Sequence, residues 1–215
     1  SASIYTYIAG TYSFAQFIAA PLIGIYSDKY GRRPVMLVCI SGSIIGISIV
    51  AFTLLFNWSN LNYFLSTLPL FPIYLLFIAR LIDGISGGTV ATATTVLADI
   101  STPDTRAKTF GLIGVAFGLS FLLGPTISFI FIGNSTNSYV IPVLIATIIP
   151  FINFLLVFFY LPETKPKEKD NAISNQIKSN PFKGIFAPFK ENNIKRLSLA
   201  FFIYFVAFTG LTTIL

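Results

Sequence analysis

Few side chains in this 215-residue chain can carry charge, and fewer still are placed to do chemistry. One run concentrates them: Gly24-Ile25-Tyr26-Ser27-Asp28-Lys29-Tyr30-Gly31-Arg32-Arg33-Pro34, an acid followed four and five positions later by two arginines across a glycine. A second pair, Arg80 and Asp83, stands in an otherwise apolar stretch, three positions apart and therefore on one face of a helix. Asp99 opens a third group that continues through Asp104, Arg106 and Lys108. The chain has no histidine and one cysteine, Cys39, which excludes an intrachain disulfide and the usual zinc spacings. No paired acids, nucleophile-base set or metal cluster falls on one face, so the residues suit ion pairing and proton binding better than bond cleavage. An enzyme is the least supported class, and no metal or cofactor is implied.

The elements that must hold these groups are apolar. Charged residues make up 10% of the chain against 54% apolar, with 23 Phe and a mean hydropathy of +0.79, whereas soluble domains carry roughly 25% charge. Twelve of the charges crowd into 162–196, four into 28–33 and four into 99–108. The runs between them are uncharged and about 20 residues or longer, enough to cross the roughly 30 Å hydrocarbon core as helices. A membrane β-barrel would alternate apolar and polar residues in segments of about ten. The predicted fold class is therefore all-α, a polytopic helical membrane protein. Spans are expected at about 4–26, 35–56, 73–98, 109–132 and 139–161, with a sixth starting at Leu197. The cluster Gly133 to Ser138 marks a turn.

Orientation follows from Lys and Arg. The loops 27–34, 99–108 and 162–196 hold three, two and eight of them, and the two opposite loops hold none. Short basic loops stay cytoplasmic, so these three are placed inside, in a plasma or bacterial inner membrane, and the N-terminus outside. The pI near 9.5 then reads as a topology signal and not as a nucleic-acid surface. The first span has no basic residues before it and no small-residue cleavage site, so it is not read as a signal peptide. Both ends of the chain are expected to be incomplete, with a preceding helix and a following half outside it. The segment 162–196, net charge +4, is the expected hinge between two bundles. Within it 180–190 suits either a short helix at an anionic membrane surface or a solvated linker.

The dense run is electrostatically awkward on its own. Asp28 lies toward the negative end of one helix, and Arg32 and Arg33 lie near the positive end of the next. Each needs a partner elsewhere, and Asp99, placed on the same membrane face, could meet either arginine. Gly31 permits a tight reversal, and Gly24 would let another helix approach closely. Arg80 and Asp83 would each cost about 2.5–3.5 kcal/mol near the bilayer centre if unpaired. They are read either as a functional intramembrane pair facing the bundle interior or as a lock on helix packing. Tyr12, Ser13, Gln16 and Asn153 either line a pathway or satisfy one another across helices. Gly42 and Gly46 are read as packing positions. Gly114 and Gly118 form a Gly-x-x-x-Gly face, and Pro125 is expected to kink its helix. Thr102 with Pro103 and Asp104 reads as a helix start. Two sequons, Asn57-Trp58-Ser59 and Asn134-Ser135-Thr136, fall in the outer loops and carry no argument.

The run from Gly24 to Arg33 closely resembles the cytoplasmic signature of the major facilitator superfamily, Gly-x-x-x-Asp-Arg/Lys-x-Gly-Arg-Arg/Lys. Three further stretches resemble that family in order. Arg80 to Gly84, with Gly87 and Gly88, is similar to its fourth-helix motif. Gly111, Gly114, Gly118 and Gly124-Pro125 are similar to the fifth-helix motif of its antiporters, departing from it in Ser120 and in Ser128-Phe129. The loop from Ala98 to Ala107, and Leu161-Pro162-Glu163-Thr164, look most like the tetracycline/proton branch. The resemblance implies helices 2 to 6 and the start of helix 7 of a twelve-helix fold. It further implies a bundle over 1–161, a central linker over 162–196 and the first helix of a second bundle from 197.

What the resemblance implies about function is proton-coupled efflux of a small organic solute or drug by alternating access, powered by the proton gradient, in a protein that is monomeric when complete. Asp28, Arg32, Arg33, Asp99 and Arg106, with Gly24 and Gly31, would form the cytoplasmic gate. Arg80, Asp83 and Gly84 would line the coupling or substrate pathway, with Asp83 the candidate proton carrier. The altered fifth-helix motif keeps a symporter or facilitator open, and a non-transporting membrane partner subunit is the alternative of a different class.

Overall fold

The computed structural model describes residues 2–56, 71–132 and 140–164, with 195–196, 199–200 and 203. The chain divides into two units, Ser1–Glu168 and Lys169–Leu215. Among the described residues of the first, six helices follow in order: α1 (Ala2–Tyr30), α2 (Arg32–Leu55), α3 (Phe71–Ile85), α4 (Thr89–Ile100), α5 (Arg106–Ile132) and α6 (Val140–Tyr160). In the second, each described position is helical. No strand occurs among the described residues. Among the described residues five helical stretches are long and apolar enough to cross a membrane: Thr6–Tyr30, Arg32–Leu55, Phe71–Ile100, Arg106–Phe131 and Ile141–Tyr160. The expected turn at 133–138, most of the loop 57–72 and nearly all of the sixth span lie outside the described residues.

Several features depart from the sequence reading. The inner loop expected over 27–34 shrinks to a single residue, because α1 continues through Tyr30 and α2 starts at Arg32. The charges there made the stretch look like loop. Yet Lys29 sits in the last turn of α1, where a cation suits the helix dipole. Pro34 falls in the first turn of α2, where a missing N–H costs nothing. Gly31 alone makes the reversal, with φ 106° and ψ 159°, a region essentially closed to residues with a Cβ.

The third span, expected to be continuous, is interrupted between α3 and α4 at Ser86-Gly87-Gly88. Two glycines in sequence weaken a helix interior by roughly 1 kcal/mol each relative to Ala, and the backbone tightens there, with Gly87 N–H donating to Gly84 O at 3.0 Å. The carbonyl of Gly87 is taken instead by Gln16 of α1, whose Nε2 donates to it at 3.1 Å. The break is pressed close against α1: a Cβ on Gly88 would lie 2.5 Å from the Ile23 side chain.

Packing centres on α2, which touches α1, α3, α4 and α6. In lipid, close van der Waals contact and not water exclusion holds helices together, so small residues at crossings matter most. A Cβ on Gly46 would stand 2.9 Å from Ala79 O, one on Gly42 would overlap the Ser86 side chain, and one on Gly84 would stand 2.6 Å from Tyr12 O. Ala79 itself is fully buried. Gly42 and Gly46 are thus packing positions.

The first turn of α5 corrects the expected start at Thr102. The helix begins at Arg106, after a turn in which the Thr102 and Thr105 hydroxyls lie 2.9 Å apart and Thr105 Oγ1 accepts from Thr102 N–H at 3.1 Å. Thr105 holds the cap position because its carbonyl accepts from Thr109 N–H. Pro125 lies inside α5 without ending it. Within the described residues no neighbour comes within 4 Å of a Cβ placed at Gly111, Gly114, Gly118 or Gly124. The Gly-x-x-x-Gly face therefore receives no helix from this part of the chain.

Candidate functional site

The densest polar cluster forms where α1, α2, α4 and the end of α6 meet. Arg32 is its centre, with a side chain only 3% exposed. Its Nη1 meets Asp28 Oδ1 at 2.6 Å, one turn back across the Gly31 reversal, and donates to Ser27 Oγ at 3.1 Å. Its Nε donates to Asp99 Oδ2 at 3.0 Å. One guanidinium thus ties the last turn of α1 to the last turn of α4, and its planar fork of donors suits two carboxylates in a way that a lysine ammonium would not. Ser27 is 1% exposed, and Asp99 is 9% exposed in its side chain.

Arg33 points elsewhere. Its Nη2 donates to Phe158 O at 2.6 Å, near the end of α6, and its guanidinium stands 5.8 Å from the centroid of the Phe158 ring. Of the two arginines either of which could have met Asp99, the structure brings Arg32 to it and gives Arg33 to α6.

Glu163 completes the cluster, and its contribution was not foreseen. Oε1 accepts from Arg32 N–H at 2.8 Å and Oε2 accepts from Arg33 N–H at 3.2 Å, so one carboxylate covers two of the orphan donors at the start of α2. The anion also offsets the cations there and answers the helix dipole. Gly31 makes room for it: a Cβ at that position would lie 2.5 Å from Glu163 Oε2. A signal existed in the sequence, since α2 has no acidic residue in its own first turn and Glu163 was placed on the same membrane face as Arg32.

The remaining candidates lie outside this cluster. Arg106, at the first position of α5, is exposed and makes no ion pair among the described residues, which separates it from the gate it was assigned to. Gly24 has no neighbour within 4 Å of a Cβ position, so no described helix approaches it closely. Arg80 Nη1 and Asp83 Oδ2 stand 3.6 Å apart, the acid 15% and the base 40% exposed. Asp83 packs against α2, where its Cβ lies 2.9 Å from a Cβ placed on Gly46. By helical rise the pair sits about 24 Å along the third span from Asp99, deep in the apolar stretch. Ser13 bonds within its own helix, to Ala9 O at 3.3 Å, Gln16 reaches across to the broken span, and Asn153 is exposed. Among the described residues no group of three or more His, Cys, Asp or Glu could hold a metal ion.

Comparison with known proteins meets this geometry. The family model described as Major Facilitator Superfamily matches residues 1–215. The chain is 31% identical over 222 residues to the mouse (Mus musculus) Major facilitator superfamily domain-containing protein 10, covering 95% of the chain and 43% of that protein. It is 34% identical over 161 residues to the class B tetracycline resistance protein of Escherichia coli, covering 75% of the chain and 35% of that protein. Among solved structures it is similar to the crystal structure of the human organic anion transporter MFSD10 (TETRAN), with a TM-score of 0.59, 34% identity and coverage of 75% of this chain and 33% of that one. The chain spans less than half the length of these relatives. With helical spans, a charged cluster at one membrane face and a family match along its whole length, the chain belongs to the Major Facilitator Superfamily.

Proposed function

We propose that this chain is part of a secondary active transporter that moves a small organic solute across the membrane by alternating access, in exchange for protons. The observation that carries the proposal is Arg32 held between Asp28 and Asp99. A buried cation satisfied by carboxylates from two helices is stable when both acids are in place and costly when one withdraws. Such a cluster can latch one state of a rocking pair of bundles. In this reading 1–161 is one bundle, 162–196 is the cytoplasmic linker and 197 onward begins the second. The basic loops lie in the cytoplasm, at the plasma or inner membrane, and the complete protein works as a monomer.

Relatives named for tetracycline resistance and for organic anion transport support an organic solute as cargo and efflux as direction. Proton coupling is assigned to Asp83, an acid in the apolar span with Arg80 beside it. A second reading, symport or facilitated transport, is favoured by Ser120 and Ser128-Phe129, which depart from the fifth-helix antiporter pattern. Imposing a pH gradient across proteoliposomes separates the two by whether solute moves with or against the protons.

The test of the gate uses the full-length protein in proteoliposomes. Asp28→Asn and Arg32→Ala are expected to abolish solute transport while membrane insertion, read by extraction and protease protection, is retained. Unchanged transport in either variant overturns the latch.

A further inference from the structure

At Ser86-Gly87-Gly88 the backbone ladder of the third span is cut. On the α3 side Ser86 N–H donates to Ile82 O and Gly87 N–H to Gly84 O, both at 3.0 Å; on the α4 side Thr92 N–H donates to Gly88 O at 2.9 Å. Among the described residues no backbone hydrogen bond runs from Gly88 or beyond back to Gly87 or before. The side-chain bond that crosses the gap along the chain, from Thr89 Oγ1 to Ser86 O, is 3.4 Å long. Gln16 of α1 closes the gap from outside, through Gly87 O. Open backbone at membrane depth is tolerated only where protein covers it or a cavity receives it, and here Gly88 is buried against Ile23.

The two sides of the break are held differently. α3 lies closely against both α1 and α2, with Ala79 fully buried at one crossing and Gly84 pressed on Tyr12 O at the other. α4 is packed more lightly, burying Thr92 and Val96, and its far end is fastened by Asp99 to Arg32 at 3.0 Å. The second acid on Arg32 lacks that freedom. Asp28 lies four residues back across the Gly31 reversal, where Gly31 N–H donates to Ser27 O at 3.2 Å, so α1 and α2 meet in a tight corner that keeps Asp28 beside Arg32.

We propose that Ser86-Gly87-Gly88 is a hinge on which α4 swings as a lever, so that the gate opens by withdrawal of Asp99 while Arg32 keeps Asp28. Gln16 is the positioning residue of this hinge. From Gly88 to Asp99 the lever is about 16 Å long, and a bend of about 20° at its root carries the carboxylate about 6 Å, enough to break its bond to Arg32. Bending at this point severs no ladder bond, because none crosses it. The hinge adds a moving part inside one bundle to the rocking of two, and it rests on the transport reading only in treating the Arg32 cluster as a gate.

Spin labels on the full-length protein in lipid nanodiscs, without solute or gradient, test the lever. Ile100 at the end of α4, Leu81 on α3 and Tyr160 at the end of α6 are all exposed and accept labels. In Asp99→Ala, double electron–electron resonance should show a second Ile100–Tyr160 distance, longer by about 6 Å, while the Leu81–Tyr160 distance stays single. Asp99→Asn, which keeps the size of the side chain, replaces Asp99→Ala if that variant does not fold, with a smaller second population expected. Asp28→Ala leaves the bond between Arg32 and Asp99 in place and should not produce the second distance. Adding Gln16→Leu to the Asp99 variant should raise the second population about threefold. These distances need no transport, so they can appear in a protein that moves no solute, and a transporting protein without them refutes the hinge alone. A single Ile100–Tyr160 distance in both Asp99 variants, equal shifts of both label pairs, or equal effects of Asp28→Ala and Asp99→Ala would overturn the lever. An unchanged ratio on adding Gln16→Leu would remove Gln16 from the hinge.

Discussion

Arg32 Nε donates to Asp99 Oδ2 at 3.0 Å, and through that bond α2 is tied to the far end of the third span. The same guanidinium reaches Asp28 and Ser27, so α1, α2 and α4 converge on one buried side chain. Asp28 at the negative end of α1 and Arg32 at the positive end of α2 are each badly placed in isolation; together they cancel. Asp99, in the last turn of α4, is likewise an acid at a negative helix end and gains the same relief.

Asp99→Ala should cost about 1.5–3 kcal/mol of stability, the range for losing a charge-assisted hydrogen bond from a buried group. The double variant with Arg32→Ala should cost much less than the sum of the singles, because residues sharing one network couple by about 0.5–3 kcal/mol. Thermal unfolding of the four proteins in lipid nanodiscs measures the coupling. Additive costs would show that Arg32 and Asp99 do not act as a pair.

Glu163 and Gly31 should be coupled by shape. Glu163→Ala removes the cap on two amides and should destabilise by about 1 kcal/mol, as loss of an N-cap does. Gly31→Ala in the native background meets both a forbidden backbone region and Glu163 Oε2 at 2.5 Å. With Glu163 truncated only the backbone strain is left, about 1–3 kcal/mol. The cost of Gly31→Ala is therefore expected to be smaller in Glu163→Ala than in the native protein; an equal cost in both backgrounds would deny the contact.

Helical architecture was legible because uncharged runs of spanning length have few other uses, and the Asp28 to Arg33 spacing itself points to a cluster. What periodicity and charge did not reveal is instructive. The loop expected over 27–34 is helix because the charges that suggested it neutralise one another. The break at Ser86-Gly87-Gly88 was hidden inside an apolar run, since hydropathy registers side chains and the break is a backbone event completed by Gln16 from another helix. Glu163 belongs to the cluster through a separation of 131 positions from Arg32, a relation no local pattern carries.

Gln16→Leu should loosen the break locally. It removes the donor to Gly87 O, a contact of the kind worth about 0.6 kcal/mol on average within membranes and up to about 1.7. Global stability should change little, while amide exchange at Gly87 and its neighbours speeds up several-fold. Hydrogen-exchange mass spectrometry of peptides spanning 82–92 checks this, and unchanged protection there would mean that Gly87 O does not depend on Gln16.

Asp83→Asn keeps the size of the side chain and its packing beside Gly46 while removing the titrating proton. If Asp83 carries the coupled proton, the variant should retain solute binding and lose solute movement driven by a pH gradient. Binding measured at equilibrium and uptake measured under an imposed gradient separate the two. Gradient-driven transport at the native rate would move the carrier elsewhere in the full-length protein.

Gly46 and Gly114 offer a contrast between two small-residue faces. Gly46→Leu forces a side chain toward Ala79 O, 2.9 Å from the Cβ position, and should disrupt the α2 and α3 crossing and lower stability sharply. Gly114→Leu enters open space within the described residues and should leave the folding of this bundle unchanged. If the fifth-helix face serves transport by meeting the rest of the protein, Gly114→Leu will lose solute flux in the full-length protein with stability of the 1–161 bundle intact. Limited proteolysis of this bundle beside a flux assay reads both quantities. Native flux in Gly114→Leu would mean that the glycine face is not a working contact, and loss of both together would place its partner inside this bundle.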